Sequence, residues 1–102
     1  MPSKKVWVKV HHSRTGEVVL AACDENLLGK KIKLNDGFSI EVSKAFYGGF
    51  LVEPEELDKY IQQAGIVNLL GEVVISYMIR KGLVSEKAVI KVGEVPHVQL
   101  FL

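Results

Sequence analysis

Five polar side chains hold most of the chemistry open to this chain: Asp24, Tyr47, Asn68, Glu72 and His97. Each stands in a loop or at the end of an expected element. Polar groups in such places converge on sites, and they also cap helices and tie loops down. Two carboxylates beside an imidazole can move protons, so Asp24, Glu72 and His97 would suit acid–base work on a small molecule if they shared a cleft. Nothing in their spacing brings them together, and no residue is assigned a catalytic role.

The stretch LAACDENLLGKK contains the chain's one cysteine, Cys23. A nucleophilic thiol needs a base, a cation or a helix N-terminus to lower its pKa. Neighbours on a strand face opposite ways, so Asp24 is badly placed to orient a histidine that Cys23 also touches. The expectation is a buried structural thiol that packs as a small hydrophobe. His11, His12, His97 and Cys23 have no metal-ligand spacing, and no metal is expected. FYGGF has two glycines but no following Lys-Ser/Thr, so it is not a phosphate loop. Glu72 argues against an anion at the helix start beside it. No cofactor is expected.

A second constellation is basic. Lys5, Trp7 and Lys9 share one face of a strand, and Lys31 and Lys33 share one face of another. Were those strands neighbours, an aromatic platform among cations would suit single-stranded RNA. Neither an RNA-binding signature nor a DNA-binding one appears.

The elements that must position these residues follow from periodicity. KKVWVKVHH alternates strictly, and EVVLAAC is apolar on both faces at its end, so the two form a hairpin across SRTGE. Asp24 is expected to cap the short turn ENLLG. KKIKL and FSIEV are strands joined at NDG. SKAFYGGFLVEP reads as irregular. Pro54 opens one helix, with Leu57, Tyr60, Ile61 and Ala64 on its apolar face. A second helix is expected over 69–81, with Asn68 as its cap and Gly82 as its stop. AVIKV is a last strand, and GEVPHVQLFL an apolar tail docked on the domain, on a protein partner or on a second copy. The fold class is α+β: a mainly antiparallel sheet of about five strands with two helices packed on one face.

Length and composition bound the rest. One domain over 1–102 is expected from 102 residues, 48% hydrophobic and 25% charged. A lone cysteine allows no internal disulfide, and no apolar run of membrane-spanning length or signal-peptide pattern appears, so a cytoplasmic, soluble protein is expected. The net charge is +1, with eight Lys/Arg against five Asp/Glu in residues 1–50 and five against seven beyond. That asymmetry permits an anionic partner on one side.

Four stretches in order, AACDENLLGK, FYGGFLV, NLLGE and VPH, resemble the archaeal family catalogued as domain of unknown function 424. The resemblance spans nearly the whole chain. The matching positions are Cys23, Asp24, Gly29, Lys30, Phe46, Tyr47, Gly48, Asn68, Gly71, Glu72, Pro96 and His97. It implies a small archaeal α+β domain without an established activity, in a setting of translation genes. The abundance of Lys and Glu, with few Asn, Met and Cys, agrees with a hot-living source. The expected function is a small binding or adapter protein, associated with RNA or a translation component; the alternative is an enzyme built on the Asp/Glu/His cluster.

Overall fold

The computed structural model describes residues 4–102. Alternation in the first strand sets the geometry for the rest. β1 (Val6–His12) and β2 (Val18–Asp24) form an antiparallel hairpin in which Val6 faces Asp24 and His12 faces Val18. Val6 and Val8 are fully buried on one face, with Leu20 and Ala22 of β2. Ala21 and Cys23 are equally buried on the other face. A strand buried on both faces belongs at the centre of its sheet.

After β2 a single 3-10 turn, Glu25–Leu27, leads to β3 (Lys31–Lys33) and β4 (Ser39–Glu41), a separate two-stranded hairpin. Its turn follows the NDG signal: Gly37 takes a positive φ, and an Asp36 carboxylate oxygen accepts from the Phe38 N–H. The stretch expected to be irregular is ordered into α1 (Lys44–Tyr47), capped by the Ser43 hydroxyl, and β5 (Phe50–Val52), which pairs with β1. A 3-10 turn at Pro54–Glu56 opens α2 (Leu57–Ile61).

The largest departure from the sequence reading comes next. Leu69 and Leu70, expected to start a helix, instead end β6 (Ile66–Leu70), and α3 (Glu72–Arg80) begins only after Gly71. Asn68 is therefore mid-strand and caps no helix. The apolar run Ile66–Leu70 fits a buried strand as well as a helix by pattern alone. Two neighbours decide it: β6 lies parallel to β2 on one side and antiparallel to β8 (Val95–Phe101) on the other. The segment expected to be a docked tail is thus β8, inside the sheet. Its other neighbour is the edge strand β7 (Ile90–Val92).

Among the described residues the main sheet has six strands in the order β5-β1-β2-β6-β8-β7, antiparallel throughout except for β2–β6. It is an α+β fold with a mostly antiparallel sheet and short helices, as expected, with one more strand in the sheet than the estimate of five. The two expected helices share a face. Leu57 of α2 and Val74, Tyr77 and Met78 of α3 pack on Val8, Leu20, Leu69 and Val98. The other face has a smaller core, in which Ile32, Val42 and Tyr47 cover Ala21, Cys23 and Leu70. That cover comes from β3, the end of β4 and α1. It reaches the β7–β8 turn, where Val92 and Val95 pack on it, and leaves Ile90 59% and Phe101 74% exposed.

Gly71 is the hinge between β6 and α3. Its φ is +119°, and a Cβ there would overlap the Asp24 carboxylate. Both obstacles act together, so Gly71→Ala is expected to cost at least about 2 kcal/mol of unfolding free energy in urea titration, with the slope unchanged.

Candidate functional site

Strand parity splits the five polar candidates into two groups on opposite faces of the sheet. Asp24 follows Leu20 and Ala22 and points to the α2–α3 side. Asn68 and His97 point the other way, with Leu70 and Cys23.

On the helix side, the Asp24 carboxylate accepts the Val73 and Val74 N–H groups at 2.9 Å each. These are N–H groups of the first turn of α3, which have no partner inside the helix. Asp24 makes no such bond to the turn that follows it, so the expected local cap is replaced by one reaching 50 residues along the chain. Only 5% of Asp24 remains exposed. Burial raises its pKa above the ordinary carboxylate value, and the backbone donors of α3 pull against that shift. Asp24 and Glu72 border an open cleft of about 970 Å³, with Lys5, Glu53, Ser76 and Arg80 around it. Acids outnumber bases around this cleft, and its buried carboxylate, Asp24, is already committed to α3.

On the other face, three of the five candidates meet. The Tyr47 hydroxyl donates to Asn68 Oδ1 at 2.8 Å, and His97 Nε2 lies 2.9 Å from the same oxygen. Tyr47 comes from α1, Asn68 from β6 and His97 from β8, so the trio ties the cover to two central strands. Burial pushes the Tyr47 hydroxyl up to about 12, with the Cys23 thiol beside it adding to the shift. Burial lowers the pKa of His97, so the ring is neutral at physiological pH. No buried side-chain nitrogen or oxygen among the described residues lacks a partner.

Cys23 is fully buried beneath this cover, and its thiol is pushed up to about 12, first by burial and then by the Asp24 charge. A thiol in that state is neither nucleophile nor ligand. Among the described residues no group of three or more His, Cys, Asp or Glu is placed to hold a metal ion. Nor is any helix there long and apolar enough to cross a membrane.

The five basic-face candidates do not form one surface. Trp7 is half-buried in the smaller core, and its indole N–H donates to the Glu25 carbonyl. Lys9 Nζ donates to the Ala45 carbonyl at the back of α1. Lys5 borders the cleft on the helix side. Lys31 and Lys33 are exposed on the hairpin, flanking buried Ile32. The strand carrying Trp7 and the strand carrying Lys31 belong to different sheets, which is why alternation alone misplaced them. Two further polar groups on this face, His11 and Gln99, lie outside the ten candidates. His11 Nε2 lies 2.8 Å from the Phe46 carbonyl, with the two rings stacked at 5.0 Å. Gln99 pairs across from Asn68. Reading VPHVQLF as a strand would have found Gln99, since it shares a face with His97.

A family model described as protein of unknown function (DUF424) matches residues 11–102. The chain belongs to this family. The resemblance read from the four motifs is thereby met. The DUF424 chain is also similar to a solved structure described as an uncharacterized conserved protein from Methanopyrus kandleri, at 33% identity and a TM-score of 0.79. The match covers 95% of this chain and 90% of that one. The archaeal setting implied by the motifs agrees with that source. No curated protein matches.

Three outcomes check this geometry. Asp24→Ala leaves the α3 donors unpaired and is expected to cost about 1–3 kcal/mol, with Asp24→Asn costing less. Cys23 is expected to react with a thiol reagent only at the rate of global or local opening, so that stabilising conditions slow the labelling. His97 has a folded pKa below its unfolded value of 6.5. The unfolded chain therefore takes up that proton first as the pH falls, and stability is lost below about pH 6.5. Wild type should lose more stability than His97→Gln between about pH 7.5 and about pH 5.5, measured by urea midpoints.

Proposed function

We propose that this DUF424 chain is a non-catalytic binding module, an adapter that takes single-stranded RNA on the open part of its sheet. The observation that supports this is the solvent-facing remainder of the Tyr47–Asn68–His97 network. No described residue pairs with the Asn68 amide nitrogen or with His97 Nδ1, and neither atom is sealed from solvent. Both stand half-buried at the rim of the smaller core, beside exposed Gln99 and between exposed Ile90 and Phe101. Flat apolar surface with amide and imidazole groups is what unstacked bases bind to.

Charge favours the same side. The segment 25–49, which covers this face, carries four lysines against three acids, whereas 53–64 on the helix side carries four acids against one lysine. A phosphate backbone is better received by the first. A translation-associated adapter would meet ligands of this kind. The enzyme reading is the weaker one, because Asp24 and Glu72 lie across the sheet from His97 and Asp24 is held by α3.

Fluorescence anisotropy with a labelled single-stranded RNA of about twelve nucleotides tests the reading. Affinity should fall steeply with added salt, and Asn68→Ala and His97→Ala should each weaken binding about tenfold, with the circular dichroism spectrum retained. No binding, or binding indifferent to salt and to both substitutions, would remove RNA as the ligand. Salt-insensitive capture that fails on Phe101→Ser would instead point to an apolar protein partner on this surface.

A further inference from the structure

The hydrogen bonds around Asn68 have a direction, and that direction decides what the site can accept. An amide side chain can be turned either way, with its oxygen or its nitrogen inward. Turned one way, Asn68 accepts from both Tyr47 and His97. Turned the other, it donates to both. Tyr47 separates the two arrangements. Its hydroxyl is on a side chain only 7% exposed, and its one hydrogen-bond partner among the described residues is Asn68. With its pKa near 12, the phenol keeps its proton throughout the physiological range and must donate it. Were the amide nitrogen inward, that buried proton would have no acceptor.

We infer that Tyr47 is the positioning residue of this site: it holds the Asn68 carbonyl inward, which holds His97 as the Nε2–H tautomer and leaves an amide donor beside a bare imidazole acceptor for the ligand. The amide oxygen has two lone pairs, and Tyr47 and His97 use both. His97 can occupy its place, 2.9 Å from that oxygen, only by donating from Nε2. In the neutral ring Nδ1 is then unprotonated. The inference rests on the binding reading above and narrows it. A ligand group here must offer an acceptor to Asn68 and a donor to His97. The Watson–Crick edge of every nucleobase carries both kinds of group, and single-stranded bases expose it. A backbone phosphodiester carries acceptors alone at neutral pH, and its oxygens would meet the His97 lone pair unfavourably. The site is therefore one for a base, with the backbone phosphates lying toward the lysines of segment 25–49.

The test is 15N–1H correlation spectroscopy of the histidine side chains in the full chain, at a pH where His97 is neutral. The wild type should show His97 as the Nε2–H tautomer. Tyr47→Phe frees the amide to turn, so His97 should move toward a mixture of tautomers. A wild-type His97 in the Nδ1–H form overturns the inference, and that measurement needs no variant. An unchanged tautomer in a folded Tyr47→Phe protein overturns Tyr47's positioning role. Two probes then examine the ligand class. Adenosine should shift His97 Nδ1, and dimethyl phosphate, a phosphodiester without a base, should not at the same concentration. Equal shifts from both would defeat the base assignment. No shift from either would count against RNA at this face, while the tautomer would still decide the role of Tyr47.

Discussion

The Asp24 carboxylate at the start of α3 is the contact on which the architecture turns. β2 and β6 are parallel neighbours, so both end at the same side of the sheet. α3 leaves β6 at Gly71 and brings its first N–H groups over the end of β2. An anion placed there satisfies donors that the helix itself cannot, and it does so inside the fold, where an unsatisfied N–H is costly. Glycine is required next to it, because the carboxylate occupies the space a side chain would take. Helix, strand end and glycine therefore have to be supplied together.

That same contact gives the Asp24 carboxylate a structural task. Both Asp24 oxygens are engaged by backbone donors, and the Cys23 thiol beneath the other face is too buried to ionise. The two most chemically promising residues of the AACDE stretch are thus structural, one as an anionic cap and the other as core volume. On the other face, the Asn68–His97 pair keeps hydrogen-bonding capacity to spare.

The polar trio under α1 also explains why the smaller core can end abruptly. Where Ile32, Val42 and Tyr47 give out, the sheet would present a raw boundary between buried and wet surface. Tyr47, Asn68 and His97 sit at that boundary and satisfy one another on the dry side. Networks of this type fix one arrangement of the groups that share them. The exposed Ile90 and Phe101 lie beyond the boundary, so a flat mixed surface continues to the sheet edge.

Much of this could be read from the residues in order. The alternation of Val6, Val8 and Val10 made β1 legible, the NDG turn made the β3–β4 hairpin legible, and the two-sided apolar ending of β2 marked a central strand with Cys23 sealed in it. Local periodicity and turn chemistry carry that information, since each depends on neighbours a few positions away. The sequence could not say that Ile66–Leu70 is a strand, because an apolar run of that length suits either state until β2 and β8 flank it. Nor could it say where Asp24 points its carboxylate, or that Trp7 and Lys31 lie in different sheets. Those outcomes rest on pairing between segments tens of residues apart, and such pairing is chosen by the free energy of the whole core rather than by any stretch of it. The residue types were fixed by the chain; which of them meet across the sheet, Asp24 with α3 and Asn68 with Tyr47 and His97, was decided only when the strands took their order.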